Sequence, residues 1–159
     1  MTEILEGHCA CGAVRYRLTS APMFVNCCHC TECRRQTGSA FAINAVIETD
    51  RIELLEGSLA PVPVLVPSES GRPHDIYRCP QCQSALWSDY GRRPAVRFLS
   101  VATLDDPSAF PPMAHIFTRS KIDWVVLPPG APAFEVYYDM QAQWPPESLA
   151  RRRAILGDG

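Results

Sequence analysis

The chemistry that this sequence could carry is concentrated in its cysteines, four of which lie between residues 27 and 33. Cys28, Cys30 and Cys33 form the pattern C-x-C-x-x-C. Alternate side chains of an extended segment share a face, so Cys28 and Cys30 point the same way, and a turn after Cys30 returns Cys33 to them. Three thiolates can bind zinc and leave a fourth tetrahedral position free, which is typical of catalytic zinc. The spacing therefore predicts a metal site with an open position.

Cys27 and His29 alternate with these three cysteines and are expected to face the other side of the segment. Neighbouring strand residues diverge, so Cys27 is not expected to bind the same ion as Cys28. We interpret Cys27 as a small buried hydrophobic residue, since free cysteine often lies in protein cores. The alternative is that Cys27 or a histidine supplies a fourth ligand, which would close the open position.

The other four cysteines form two pairs that are far apart in the sequence, Cys9 with Cys11 and Cys79 with Cys82. The first pair shares a face of an extended segment, and the second has the spacing of a zinc knuckle. Two such pairs complete one four-thiolate site, whose metal would contribute folding free energy directly. Thiolate-rich ligand sets favour zinc, with iron as the main alternative. We therefore predict two zinc ions per chain.

The three-thiolate set also indicates which substrates would suit it. Three anionic ligands make zinc a weaker Lewis acid than three histidines do, so the pKa of a bound water is lowered less effectively. A soft thiolate is a favourable fourth ligand instead. We expect a small thiol, or the adduct of a thiol with a carbonyl compound, as the substrate, because binding would lower the pKa of the thiol.

The composition is that of an ordinary globular domain, with 159 residues, 47% of them hydrophobic and 20% charged. The length fits a single domain over residues 1–159. The net charge of −2 gives no overall basic field, so a nucleic-acid partner is not expected. Residues 1–7 lack the apolar region of a signal peptide, and no apolar run is long enough to span a membrane. We expect a cytoplasmic protein whose cysteines bind metal, with a secreted four-disulfide protein as the alternative.

Hydrophobic alternation predicts a mainly β domain of short antiparallel strands with a C-terminal helix. Predicted strands cover residues 14–18, 41–47, 52–55, 62–66, 76–78, 85–88, 96–104, 114–118, 124–127 and 134–138. A short helix is predicted at 32–37, with Thr31 as N-cap and Gly38 as stop, and a longer one at 147–156. Residues 60–73 are expected to form a proline-rich loop around an edge strand.

Several motifs, in this order, resemble the glutathione-dependent formaldehyde-activating enzyme (GFA) family, which centromere protein V also resembles. The motifs are Gly7-x-Cys9-x-Cys11-Gly12-x-Val14-x-Tyr16, Cys28-His29-Cys30-x-x-Cys33-Arg34-Arg35-x-x-Gly38-Ser39-x-Phe41, Cys79-x-x-Cys82, and His115-Ile116-Phe117 followed by Lys121 and Trp124. They define a core at residues 7–127, which leaves residues 128–159 as a C-terminal extension. The chain departs from the family at Gln83, where glycine is usual and would adopt a positive φ at little cost.

The resemblance implies a β-tent fold of coiled antiparallel sheets with two zinc ions. It implies that one ion is structural and is held by the two distant cysteine pairs, and that Cys28, Cys30 and Cys33 hold the catalytic ion. The activity it implies is the joining of formaldehyde and glutathione into S-hydroxymethylglutathione, formally a carbon–sulfur lyase reaction in reverse.

Three further residues are candidates for substrate binding. Arg34 and Arg35 could hold a substrate carboxylate by bidentate hydrogen bonds, and surface arginines are the plain alternative. His115 could act as an acid–base group, although an ordinary strand histidine is the favoured interpretation. The alternative function is a zinc-stabilised binding module for protein or nucleic acid. The basic run Arg151–Arg153 could contact such a partner, although a solvated helix face is the favoured interpretation of this run.

Overall fold

A computed structural model describes residues 5–157 and shows a mainly β protein with two sheets and three short helices in that range. The elements are β1 (Leu5–His8), β2 (Arg15–Leu18), β3 (Phe24–Cys28), α1 (Thr31–Thr37), β4 (Ala42–Glu48), β5 (Ile52–Leu54), β6 (Val62–Val66), β7 (His74–Arg78), β8 (Ala85–Tyr90), β9 (Val96–Ser100), β10 (Ala114–Ile116), α2 (Met140–Gln143) and α3 (Pro146–Leu156). The prediction of a mainly β fold with a C-terminal helix is therefore confirmed. None of the helices in this range is long and apolar enough to cross a membrane.

The small sheet has the strand order β1-β2-β5, and the large sheet has the order β10-β3-β4-β9-β8-β7-β6. Their strand pairs are antiparallel except for β10 and β3, which run parallel with Ala114 opposite Asn26. The edge strand β6 carries Pro63, whose ring removes a backbone donor at the exposed edge. The predicted edge strand in the proline-rich segment is thus observed at residues 62–66.

Two predicted strands are wrong. Residues 124–127 form a turn and an irregular segment, in which the ammonium of Lys121 donates to the carbonyl of Val125 at 2.7 Å. Residues 134–138 run beside β10 through scattered hydrogen bonds, such as Phe134 N–H to the carbonyl of His115, without a regular ladder. Prolines at 128, 129 and 132 lie between the two segments and interrupt the extended run that a pair of strands would need. The region also contains α2, which the hydrophobic pattern did not predict.

The core consists of two hydrophobic clusters, one centred on the small sheet and one beneath the C-terminal helices. In the first, the Tyr16 ring meets Trp87 edge-on at 5.6 Å and its hydroxyl bonds that of Thr103 at 2.7 Å. Gly7 faces this ring so closely that a Cβ would lie 2.4 Å from the Tyr16 oxygen, so only glycine fits there. Tyr16 therefore packs against the bare backbone of Gly7 in β1, and its contacts with Trp87 and Thr103 join the small sheet to the rest of the domain.

The second cluster includes residues of the C-terminal segment, among them Tyr138, Trp144 and Leu149. Trp144 stacks on Phe24 at 5.3 Å, and Arg151 of α3 binds the buried carboxylate of Glu48 through both of its oxygens. Burial opposes ionisation of Glu48, but these hydrogen bonds outweigh it and lower its pKa. Arg151 is therefore a structural residue that anchors α3, in contrast to the solvated helix face that the sequence predicted.

Candidate metal centres and the cavity beside them

The structure brings Cys9, Cys11, Cys79 and Cys82 together, with their sulfur atoms all within 4.8 Å of one another. Cys9 and Cys11 are 3.6 Å apart through sulfur, and Cys11 and Cys79 are 3.8 Å apart. Two sulfurs on one tetrahedral zinc, with bonds of about 2.3 Å, would be about 3.8 Å apart. All eight cysteines are free, so the disulfide alternative does not describe this structure. These four cysteines, called the quartet below, fit a four-coordinate zinc site.

Backbone N–H groups stabilise negative charge on the quartet. The N–H groups of Gln81 and Cys82 point to the Cys79 sulfur, and that of Val14 points to the Cys9 sulfur at 3.3 Å. Hydrogen bonds from the hydroxyl and the N–H of Ser84 lower the pKa of Cys82 to about 5. Because metal ligation requires deprotonated thiols, these donors prepare the quartet for a cation.

Gln83 ends the knuckle in a left-handed conformation, with a φ of 65°. This is the position at which the sequence departs from the expected glycine. A β-carbon in this conformation is strained, whereas glycine adopts it freely. The knuckle keeps its turn despite the substitution, because the N–H of Gln83 donates to the carbonyl of Cys79 at 3.0 Å.

Cys28, Cys30 and Cys33, called the trio below, also have their sulfur atoms within 4.8 Å of one another, and all three are buried. Cys28 ends β3, and Cys33 lies in the first turn of α1, as the sequence predicted. The N-cap of this helix is Cys30, whose sulfur accepts from the N–H of Cys33 at 3.1 Å, and not Thr31 as predicted. Gly38 ends the helix, as predicted, and adopts a left-handed conformation.

Charge is distributed unevenly within the trio. Interactions with the thiols of Cys28 and Cys33, aided by backbone N–H groups at the start of α1, lower the pKa of Cys30 to about 3. Interactions with Cys30 and Cys33, together with burial, raise the pKa of Cys28. A preformed thiolate beside two further soft donors is a favourable site for a thiophilic cation such as zinc. The trio thus fits a metal ion with three protein ligands.

Cys27, His29 and His115 form a third buried group of potential ligands. The His29 Nε2 and His115 Nδ1 atoms are 3.0 Å apart, which is a hydrogen-bond distance and shorter than the about 3.3 Å between two nitrogens on one tetrahedral zinc. Burial, together with the nearby His115 and Lys121, lowers the pKa of His29 to about 4. We interpret this group as a hydrogen-bonded pair of neutral histidines, with Cys27 as the buried thiol that the sequence predicted.

A cavity of about 490 Å³ adjoins the trio and lies within the usual volume range of small-molecule sites. It is lined by residues of β4, β7, β8 and β9, by residues of α1, by Ser39 and Phe41, and by the knuckle. Cys33 lines one part of it and Cys82 another. The trio therefore faces a space that a small molecule could occupy.

The cavity wall contains polar side chains that the sequence did not point to, notably His74, Arg78 and Tyr90. His74, Ile76 and Arg78 alternate along β7, so a period of two could have placed them on one face. Arg78 donates to the side-chain oxygen of Gln36 on α1 at 3.0 Å and to the carbonyl of Gln83 at 3.0 Å. It thereby connects the knuckle to the helix that carries Cys33.

The three residues predicted to bind substrate do not line this cavity. Arg35 is exposed on α1, and Arg34 is half-buried, donating to the Thr31 hydroxyl at 3.4 Å. The Nε of Arg34 has no hydrogen-bond partner within residues 5–157. His115 is buried against His29. A substrate contact from any of the three stays a prediction.

Residues 4–120 match the family described as "Glutathione-dependent formaldehyde-activating enzyme", and the chain belongs to this GFA family. A protein of Halomonas elongata named "Putative glutathione-dependent formaldehyde-activating enzyme" is 30% identical over 97% of this chain and 97% of its own length. The predicted family resemblance is thereby confirmed.

A crystal structure of a Rhodobacter sphaeroides protein is also similar, covering 81% of this chain and 98% of its own. The TM-score is 0.45 and the sequence identity is 19%.

Proposed function

We propose that this protein is a zinc-dependent enzyme that forms or breaks a carbon–sulfur bond between a small thiol and a carbonyl compound. Glutathione and formaldehyde are the proposed substrates, as the family description and the name of the Halomonas relative suggest. The observation that carries the proposal is the trio, because three converging cysteines leave one tetrahedral corner beside a cavity lined by Cys33. The two sheets are compatible with the β-tent that the family resemblance implies.

The two cysteine groups would have different roles. The quartet would hold a structural zinc, and Cys28, Cys30 and Cys33 would hold a second zinc. Bound to the trio, zinc would supply a soft fourth position that lowers the pKa of a thiol and so provides a thiolate at neutral pH. The presence of eight free cysteines supports a reducing compartment such as the cytoplasm as the place of action.

The reaction needs no oxidant or reductant. The thiol loses its proton to solvent. Its sulfur then forms a bond to the carbonyl carbon, and the π electron pair of the C=O bond moves to oxygen. That oxygen then takes a proton from solvent, which gives a hydroxymethyl thioether from formaldehyde. The part of this chain is to place the two reactants together in the cavity, which reduces the entropic cost of their encounter.

Arg78 is the cavity residue best suited to the carboxylates of glutathione. It uses neutral acceptors, the Gln36 side chain and the Gln83 carbonyl, for two of its five N–H donors. The remaining donors are available for a substrate carboxylate, to which guanidinium groups bind by charge-assisted hydrogen bonds. A carboxylate near Arg78 would leave the sulfur of the same molecule inside the cavity.

Cobalt substitution tests the open position of the trio. Glutathione at millimolar concentration should change the sulfur-to-cobalt charge-transfer bands of the cobalt-loaded protein, since a thiolate would become the fourth ligand. A Cys33→Ser variant should lose or alter this response, whereas the quartet has no position to offer. If neither glutathione nor any other thiol perturbs the spectrum, the site is closed and the proposed lyase-type activity is wrong.

A further inference from the structure

His74 is a buried histidine whose ring nitrogens are unused. It begins β7, is only 4% exposed and lines the cavity. Neither ring nitrogen has a hydrogen-bond partner within the described residues, 5–157. Buried polar atoms are nearly always paired, and an unpaired one costs free energy. An unpaired imidazole in the wall of a cavity therefore suggests that its partner is a ligand.

The position of His74 places it close to the trio. Its cross-strand partner is Tyr90, and the two rings stack with their centroids 3.9 Å apart. The Tyr90 ring also contacts Phe98 in a T-shaped arrangement, with the ring centroids 4.9 Å apart. The Tyr90 hydroxyl lies beside the Cys33 thiol and interacts with it. The imidazole is thus fixed, through one aromatic ring, next to the cysteine that opens onto the cavity.

The imidazole is neutral in this environment. Burial lowers the pKa of His74, and the carbonyl of Pro67 and the thiolate of Cys30 act in the opposite direction without cancelling the effect. The Pro67 carbonyl lies near the ring without forming a hydrogen bond to it. A neutral imidazole carries one N–H donor and one nitrogen acceptor. A hydroxyl group can pair with either of these nitrogens, because a hydroxyl both donates and accepts.

His74 and Tyr90 lie at the end of β7 and β8 beside the trio, and Arg78 lies at the other end of β7. Ile76 and Phe98 supply apolar surface on either side of Ser88, and the knuckle with Ser84 lies toward the other end of β7, beside Arg78. A polar group on the first carbons next to a sulfur at the trio would therefore meet His74 and Tyr90. The carboxylates of a larger thiol would lie toward Arg78.

We propose that His74 and Tyr90 form a binding site for the oxygen that the carbonyl compound contributes, so that the cavity distinguishes a thiol carrying a hydroxyl near its sulfur from a thiol that lacks one. This assignment rests on the proposed function, because it places the substrate sulfur at the trio. It makes His74 a specificity-determining residue, and it explains why a buried imidazole is left without a protein partner.

Two small stable thiols test this proposal: 2-mercaptoethanol, which carries a hydroxyl near sulfur, and ethanethiol, which does not. Their dissociation constants are measured from the cobalt charge-transfer bands of the metal-loaded protein. We expect 2-mercaptoethanol to bind about tenfold more tightly, since ethanethiol leaves the buried imidazole unpaired. The variant His74→Phe keeps the stacked ring and should reduce the ratio to about one, while His74→Asn should restore part of it.

Ser100→Ala is the matched control, because Ser100 also lines the cavity but lies on β9, away from Tyr90. It should leave the ratio unchanged. Equal binding of the two thiols by the unaltered protein, or an unchanged preference in His74→Phe, would overturn the assignment while leaving the proposed function intact. If no thiol, glutathione included, perturbs the cobalt bands, the proposed function fails and the assignment to His74 falls with it.

Discussion

The quartet and the trio both consist of cysteine thiols, but they differ in the sequence separation of these cysteines and in their exposure to solvent. The quartet joins parts of the chain that are far apart, since Cys11 and Cys79 are 68 positions apart in the sequence, and Cys11 is exposed. The trio gathers its ligands from one turn of chain between β3 and α1, and all three are buried. A ligand of each group, Cys33 and Cys82, lines the cavity. The proposed division into a structural and a reactive site therefore depends on the number of ligands, four in the quartet and three in the trio.

The different sequence separations of the ligands also affect how much each metal contributes to the free energy of folding. A metal bound by distant cysteines closes a long loop, so its binding free energy appears as folding free energy, about 10 kcal/mol or more for structural zinc. A metal bound by neighbouring cysteines closes almost no loop and contributes less to folding. The comparison predicts that the two groups can be separated by experiment.

The largest effect is expected when the quartet loses a ligand. Cys79→Ala should leave the protein largely unfolded at room temperature, with no cooperative transition on heating, because the metal no longer links the two sheets. Cys30→Ser should keep the fold and lose the metal of the trio, since serine is also a favoured N-cap for α1. Circular dichroism during heating, with elemental analysis for zinc, measures both. Equal losses of melting temperature would show that the two groups do not differ in role.

Removal of metal should also occur in two steps. A chromogenic chelator is expected to take up one zinc equivalent rapidly while the far-ultraviolet circular dichroism stays constant, because it can enter at the open corner of the trio. The second equivalent should appear only as the protein unfolds. We expect two zinc equivalents in total, both in the unaltered protein and in Cys27→Ala. Cys27 should make no difference, since His29 and His115 beside it are interpreted as a hydrogen-bonded pair and not as metal ligands. A single release phase, or a third equivalent, would contradict this.

A smaller effect is expected at Arg78, which lies between the two groups. Arg78→Met should weaken glutathione binding about tenfold, the effect of one charge-assisted hydrogen bond, without changing the zinc content. Arg34→Met and Arg35→Met are the matched controls and should change binding less than about twofold. Calorimetric titration with glutathione measures all three. If Arg34→Met gives the large loss, the substrate carboxylate binds where the sequence predicted it and not in the cavity.

The smallest effect concerns the left-handed residue of the knuckle. Gln83→Gly should raise the free energy of unfolding by about 1 kcal/mol, because glycine relieves the strain at a φ of 65°. It should leave thiol binding at the trio unchanged. Gln83→Ala, which removes the side chain but keeps a β-carbon at this φ, is the control for the side-chain effect alone. Urea denaturation compares the variants, and destabilisation by Gln83→Gly would show that the side chain matters more than the strain.

Much of this arrangement could be predicted from local spacing. The grouping of the cysteines followed from the period of two in extended segments and from the knuckle spacing. The short helix after Cys30 followed from its glycine stop, although the cap proved to be the cysteine itself. β3 carried no alternation to detect, because all five of its residues are buried between two other strands.

The cavity residues could not be predicted because they depend on strand register. His74 and Tyr90 are separated by the knuckle in sequence and meet only because β7 and β8 pair in one particular register. The wrong strands at 124–127 and 134–138 have a different cause. Their hydrophobic residues satisfied a strand pattern, but the prolines between them interrupt the extended chain. Trp124 and Val126 remain largely exposed, so the apolar pattern there does not mark a buried face.

The spacing of the ligands also sets an order in time. During synthesis the trio is complete as soon as residue 33 has left the ribosome, whereas the quartet must wait for Cys82. At typical translation rates the intervening residues take several seconds, roughly three to ten. For most of that interval Cys9 and Cys11 have the cysteines at 27–33 beside them and lack the second pair of the quartet. A metal bound early by Cys9 and Cys11 with any of these cysteines would have to exchange ligands before the quartet could form.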